Sequence, residues 1–427
     1  MRILYGLCGE GMGHATRSKV VIDHLLSRGH DVLCAASDQA LRVLSSDPAA
    51  GGACVIPPSA SAPGGSFTQD ANRSAEPQGV ARRDLRSPQG VARSRLGALR
   101  VLPIVGLGMR CVDGGLDLRG SIEENAQRLP DMLRVNSSAW TEAEAFRPDA
   151  VITDYDSFAW LFSGAHGLPL VSIDNAQVLP RCLHRPEVLG PYADGMAALE
   201  AFTTMKAPDA RHYIVTTFFY PRVKPGLESS TTLVPPVLRP EVLALLRAGT
   251  HPRDLRSLDS GDGRAAEGRE EGGYVLLYKT SSLDDAAFLK PAGAIPDQRF
   301  VAYGFKGAGP VPPNVEIRPY DTAAFLRDVA GARAIVGNGG MSLMGEALAF
   351  GKPVYAVPVR GQYEQVMNAS YLRQLGYGVT SDVLDPDVLR GFLRNLRLHQ
   401  AIIRAQPQHD ENRALYTTLD RLFGTAR

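Results

Sequence analysis

From Arg2 to Ser37 the chain runs through an apolar stretch (RILYGLC), a glycine loop, a helix-patterned segment (HATRSKVVIDHLLSRG) and a second apolar stretch (HDVLCAAS). Val20, Val21, Leu25 and Leu26 give the middle segment one apolar face at helical spacing. Gly29 stands where a helix C-terminus favours a positive φ. The unit is βαβ, which commits the chain to a parallel sheet with right-handed crossovers.

The same alternation resumes further on. A helix is expected around 121–146, a strand over 149–155, a helix over 156–167 and a strand over 168–175. A proline-rich hinge at about 219–242 follows. A second series then begins, with strands expected at 274–279, 299–305, 315–320, 333–339 and 353–358 and helices near 284–293, 322–330 and 342–350. The fold class is therefore α/β, with two Rossmann-like halves, expected at 1–222 and 223–406, and a C-terminal helix within 407–427. Two open parallel sheets leave a cleft at their carboxyl strand ends, where ligands bind. Two stretches interrupt the pattern, 57–98 and 251–273, both rich in Pro, Gly, Ser, Ala and Arg. The first repeats PQGVAR at 77–82 and 88–93, and both contain RDLRS, at 83–87 and 253–257. Such composition reads as disordered insertion. The first insert is basic enough for peripheral contact with an anionic membrane, but its arginines lack an amphipathic period, which favours a solvated loop.

Bulk composition excludes several classes. At 427 residues and 44% hydrophobic the chain can bury two cores, and a net charge of +1 gives no reason to expect a nucleic-acid partner. Five scattered cysteines with no C-x-x-C pair argue against a disulfide framework or a zinc site and fit free thiols in a reducing cytoplasm. The N-terminal apolar run is too short for a signal segment, and no stretch reaches the 18 or more apolar residues of a membrane span. A cytoplasmic protein is expected, at most associated with the membrane's cytoplasmic face.

The chemistry falls in the loops that enter the cleft. Gly9, Gly11 and Gly13 allow close backbone approach ahead of a helix whose N-terminus would face the ligand. His14 opens that helix, either as a residue of no chemical consequence or as a general base near neutral pH. In NGGMSLMGEALAFGKP, Gly339 and Gly340 relax the backbone before a helix whose first N–H groups, at Met341 and Ser342, favour an anion such as a diphosphate. Glu346 lies one turn in. It either faces water or accepts the two hydroxyls of a ribose, and a carboxylate there would repel phosphate but welcome the sugar. Lys279, Thr280 and Ser281 stand at another strand end as candidate phosphate contacts, and Arg17 could reach the phosphates or simply be exposed. Asp154 and Asp156 form a D-x-D that invites a metal; the favoured alternative has one of them orienting His14 or an acceptor hydroxyl, with no metal. Trp140 and Trp160 read as core.

The stretch GNGGMSLMGEALAFGKPVYAVPVRGQYEQVMNASYLRQLGYG resembles the donor-binding region of GT-B glycosyltransferases of the family 28 and UDP-glycosyltransferase type. YGLCGEGMGHATRS, GLGMRCVDGGLDLRGSIEEN and VITDYDSFAWL resemble a bacterial and archaeal branch of the same superfamily. The resemblance implies a GT-B fold with an N-terminal acceptor domain and a C-terminal donor domain. It assigns Gly339 and Gly340 to the diphosphate, Glu346 to ribose, Glu364 and Gln365 to hydroxyls of the transferred sugar, and Asn368 to bracing the loop. Pro319 and Tyr320 would pack on the nucleobase, and the C-terminal helix would fold back on the first domain. The implied activity is metal-independent, inverting transfer of a hexose from a UDP-sugar to a hydroxyl of a lipid, polysaccharide or metabolite, without a cofactor. A sugar-nucleotide 2-epimerase and a non-catalytic nucleotide-sugar-binding protein remain as alternatives. The sequence departs from the pattern at Asn338, where relatives carry histidine, and by two extra residues within VRGQY.

Overall fold

The computed structural model describes residues 1–9, 12–45, 54–55, 99–108, 110–112, 115–249, 273–279, 283–307, 309–406 and 409–424. Gly11, Thr280, Ser281 and most of both expected inserts lie outside these. In chain order the strands of the first half are β1 (Arg2–Leu7), β2 (Asp31–Ala36), β3 (Cys54–Val55), β4 (Arg100–Pro103), a small hairpin of β5 (Cys111–Val112) and β6 (Gly115–Leu116), β7 (Ala150–Asp154), β8 (Leu170–Asp174), β9 (His212–Thr216) and β10 (Thr231–Val234). Apart from the antiparallel hairpin they form one parallel sheet in the order β10-β9-β8-β7-β1-β2-β4-β3. The second half contributes β11 (Tyr274–Tyr278), β12 (Arg299–Tyr303), β13 (Val315–Ile317), β14 (Ile335–Gly337), β15 (Val354–Ala356) and β16 (Gly378–Thr380), again all parallel, in the order β13-β12-β11-β14-β15-β16.

Central strands covered on both faces must be apolar throughout, and β1, β7, β8, β9 and β14 are buried almost end to end. In each sheet the chain winds outward from one junction, β1 beside β7 in the first and β11 beside β14 in the second. Such a junction leaves an opening at the carboxyl strand ends. The residues after β1, β7, β11 and β14 are therefore the ones that can meet a ligand.

One expectation shifts. The division at 222/223 falls short, because β10 lies inside the expected hinge and pairs in register with β9, Thr231 beside Tyr213. The first sheet thus continues to Val234, and the connection shortens to the segment before the helix Pro240–Arg247. The C-terminal helix, Arg413–Phe423, buries Leu415, Leu419 and Phe423 in the core beneath β1 and β2. His24 and Arg28 of the helix Met12–Ser27 both reach Asp420, with His24 Nε2 2.9 Å from it. Trp140 and Trp160 pack against the large core cluster, Trp140 tilting onto Phe158 and Phe162. Among the described residues no helix is long and apolar enough to cross a membrane.

Candidate active site

Register brings the first group together. Leu7, the last residue of β1, lies beside Asp154, the last of β7, so the helix that follows β1 starts directly over the Asp154 carboxylate. His14 Nδ1 is 2.7 Å from Asp154 Oδ1. Arg17, one turn on, donates from Nε to Oδ2 at 3.0 Å and from Nη2 to Oδ1. Ser18 Oγ donates to Oδ2 at 2.9 Å and itself accepts from the Tyr5 hydroxyl at 3.1 Å. The Asp154 side chain is 0% exposed. Burial alone would raise its pKa, but the Arg17 guanidinium and His14 outweigh that and hold it at about 2. An ionised Asp154 fixes the histidine tautomer: Nδ1–H donates to the carboxylate and Nε2 keeps its lone pair.

Arg17 is buried, not the exposed first-turn arginine that its place in the sequence allows. It sits 3.1 Å from His14 Nδ1 and opposes protonation of the ring. Burial likewise disfavours the imidazolium, yet Asp154, assisted by Glu364, raises the His14 pKa above its ordinary value. Glu364, half-buried at the start of the helix Tyr363–Gln374, acts on His14 through its charge from the second half of the chain. Its own carboxyl is pushed up by burial, against His14 and Arg17, which pull it down. Tyr155, directly after Asp154, holds a left-handed backbone (φ 58°) that lays its ring alongside His14, with centroids 6.2 Å apart.

The two aspartates of D-x-D do different work. Asp156 caps the helix Ser157–His166, accepting from the Ala159 N–H at 2.8 Å, and burial raises it to about 6. Asp174, at the end of β8, is a third buried carboxyl beside this cluster. It accepts from the Gln177 N–H at 2.7 Å and from Ser172 Oγ at 3.0 Å, and burial raises it to about 6 as well. Its strand-end position in VSIDN, equivalent to that of Asp154 in VITDY, is the signal that could have singled it out.

Across the cleft, Gly339 adopts φ +80° and Gly340 forms the N-cap of the helix Met341–Ala349 with no side chain to cap it. The first N–H groups of that helix therefore lack an internal acceptor. Asn368 Nδ2 donates to the Gly339 carbonyl at 3.1 Å and Asn338 Nδ2 to Val357 O at 3.1 Å, so both bracing contacts come from side chains of the resembling stretch. Gln365 Oε1 accepts from the Val359 N–H at 2.9 Å, tying down the loop that carries the two extra residues. The N-termini of the helices Met12–Ser27 and Met341–Ala349 meet: a Cβ on Gly13 would stand 2.9 Å from Ser342 Oγ. Gly9 is equally tight against Ser37, whose carbonyl oxygen would lie 2.6 Å from a Cβ there.

Lys279 does not serve the cleft. Its side chain is 0% exposed, and Nζ lies 2.9 Å from Asp285 and donates to Leu283 O at 2.8 Å, so the turn after β11 consumes the charge a phosphate would have needed. Glu346 does not face water either. It is buried and accepts from Arg239 at both oxygens, Nε to Oε1 at 2.7 Å and Nη2 to Oε2 at 2.8 Å. Nothing in PPVLRPEV marks Arg239 as its partner. Tyr320 is 45% exposed beside that pair, its ring braced by Phe325 and Tyr303. Pro319 is exposed next to it.

A family model described as Glycosyl transferase family 1 matches residues 1–51, 89–252 and 264–397. The chain belongs to this family. It is a glycosyltransferase of the GT-B fold. The two gaps in the match fall largely within the interrupting stretches at 57–98 and 251–273. Two archaeal proteins described as uncharacterized glycosyltransferases are similar over shorter stretches. One from Methanosarcina mazei is 35% identical over 89 residues, and one from Methanosarcina acetivorans is 34% identical over 91. These stretches cover 20% and 21% of this chain and 23% of each relative. Solved structures share the fold over nearly the whole length. The glycosyltransferase of kitacinnamycin aligns with a TM-score of 0.55 at 16% identity over 98% of both chains. The calicheamicin glycosyltransferase gives 0.53 at 15% over 94% of this chain and 92% of its own, and an enzyme from Streptomyces nogalater 0.52 at 16% over 99% of both.

Proposed function

We propose that this glycosyltransferase moves a hexose from a UDP-sugar to an acceptor hydroxyl in a single inverting displacement that uses no metal. The observation that carries the reading is the His14–Asp154 pair at 2.7 Å, set opposite the uncapped N-terminus of the helix Met341–Ala349. His14 Nε2 takes the proton of the acceptor hydroxyl as its oxygen bonds to the anomeric carbon. The bond from that carbon to the diphosphate breaks on the opposite face, and the electron pair leaves on the diphosphate oxygen. Asp154 keeps the imidazole oriented and stabilises the imidazolium that forms. The N–H groups of Met341 and Ser342 take the developing charge, helped by the helix dipole, which favours an anion there by about 0.3–2 kcal/mol. Glu364, near enough to influence His14, meets hydroxyls of the transferred sugar together with Gln365. Glu346 receives the ribose, and Tyr320 with Pro319 packs against the base.

The reading favours a cytoplasmic enzyme, and the acceptor class stays open among lipid, polysaccharide and small metabolite. A thermal-shift screen of UDP-, GDP- and dTDP-sugars, with and without EDTA, tests it. A ligand that binds only the native state adds about 2.7 kcal/mol of stability at 100 times its Kd and so raises the melting temperature. UDP-sugars should give the largest shift, unchanged by chelator. A shift that appears only with divalent cations, or none with any nucleotide sugar, would overturn it.

A further inference from the structure

Glu346 is a buried carboxylate, its side chain 3% exposed, with both oxygens engaged by one guanidinium that is itself 11% exposed. The fork of Arg239 offers two parallel N–H donors on one edge of the carboxylate, the arrangement that two vicinal hydroxyls of a pentose would also present. Ribose cannot reach those oxygens while Arg239 holds them, because nothing else of the side chain is open. We propose that Arg239 is a resident competitor for the pentose position on Glu346, lowering the affinity for every nucleotide alike, and that a nucleotide displaces it by supplying hydrogen bonds to the same two carboxylate oxygens. This rests on the reading of Glu346 as the pentose site.

The surroundings suit an exchangeable donor. Arg239 does not belong to the helix that carries Glu346. It lies in the connection between the halves, just ahead of the helix Pro240–Arg247. That connection is anchored just ahead of Arg239: Asn412 accepts from the Leu238 N–H at 2.9 Å and donates to the Leu238 carbonyl at 2.8 Å, and Pro236 packs where Gly345 has no side chain. With the backbone tied down, an exchange of partners would need movement of the side chain alone. The hydroxyl of half-exposed Tyr320 is a second acceptor within hydrogen-bonding reach of Arg239, so a displaced guanidinium keeps a partner. A ribonucleotide trades two hydrogen bonds for two. A 2′-deoxyribonucleotide trades two for one and leaves part of a buried charge bare, and a hydrogen bond to a charged group is worth roughly tenfold in affinity or more.

Calorimetric titration of UDP and 2′-deoxy-UDP, and of GDP with 2′-deoxy-GDP, against the wild-type enzyme, Arg239→Lys and Glu346→Gln separates the claims. The wild type should prefer the ribose form of the nucleotide it binds by about tenfold or more. Glu346→Gln should reduce that preference to near unity; a preference unchanged in this variant removes Glu346 as the pentose site and with it the basis of the proposal. Arg239→Lys, which keeps the charge but loses the fork, should bind both sugars several-fold more tightly with the preference intact, because the resident competitor is weakened. A merely structural arginine predicts the opposite sign, and weaker binding by a variant that melts like the wild type overturns the gate. Should Arg239→Lys fail to fold, a crystal structure of the wild-type enzyme with UDP decides: the guanidinium off Glu346 supports the exchange, and an intact two-bond pair in the complex refutes it.

Discussion

At His14, stability and activity run in opposite directions with pH. The raised His14 pKa contributes stability below the ordinary value of 6.5 that is lost as pH rises through the higher folded value. A general base needs that same proton gone, so turnover should climb over the interval in which this stability fades. The lowered Asp154 contributes stability above its ordinary 3.8 that disappears only as pH falls toward 2, leaving the carboxylate ionised throughout the working range. Replacing Asp154 with Asn should cut kcat by about 10²–10⁴-fold and move the acidic limb of the pH–rate profile to lower pH, since Arg17 then opposes the imidazolium without a carboxylate to balance it. An acid limb that stays in place would separate Asp154 from the base. Asp156→Asn should behave differently: asparagine caps a helix about as well as aspartate, so activity within about twofold of wild type is expected, whereas a metal ligand could not be replaced so cheaply. These assignments were only half legible in the sequence. His14 and Asp154 are 140 residues apart, and only the register of β1 with β7 joins them. Lys279 looked like a phosphate contact because Asp285, six residues on, gives no sign in the sequence that it folds back to take the charge.

Burial on one face or both leaves the spacing that makes many of the helices and strands legible, though β9 and the helices Pro386–Arg394 and Leu396–Arg404 are not among those expected from the sequence. The helix Leu118–Phe146 starts three residues before the expected point, where Asp117 accepts from the Gly120 N–H, and it runs through Pro130. β10 was hidden in the proline-rich hinge because a four-residue strand is too short to show a period. Gly339 shows how much one turn carries: at φ +80°, with the Gln365 carbonyl 3.0 Å from where a Cβ would be, Gly339→Ala should cost about 1–3 kcal/mol and weaken nucleotide binding along with stability. Chemical denaturation beside UDP titration would show both losses, and an unchanged variant would mean the loop does not need that conformation. In the C-terminal helix, Leu419→Ala should lower stability by about 2–5 kcal/mol in urea unfolding, since Leu419 is buried against the first sheet; a loss below 0.5 kcal/mol would mean the helix is only loosely docked.

The two halves meet through aromatic rings, one of them seated on a glycine. The Tyr363 ring sits directly on Gly195 in the helix Ala193–Lys206, Tyr371 stacks on Phe219 at 3.8 Å, and the Tyr371 hydroxyl lies 2.7 Å from His184 Nδ1. Since Tyr363 precedes Glu364, seating that ring also sets the distance from Glu364 to His14. Gly195→Val should prop the cleft open and lower turnover by up to about 10²-fold with little change in melting temperature, as small misplacements of reacting groups do. An equal fall in melting temperature would point to general damage instead. The central claim is that His14, poised by Asp154, draws a proton from the attacking hydroxyl while the helix at Gly340 holds the departing diphosphate. Nucleoside diphosphate release from the best-binding donor, with water as acceptor, measured for wild type and His14→Ala at pH 8, tests it most directly. The account predicts release slowed by about 10²–10⁴-fold with donor affinity unchanged, and it is contradicted if His14→Ala releases the diphosphate at the wild-type rate.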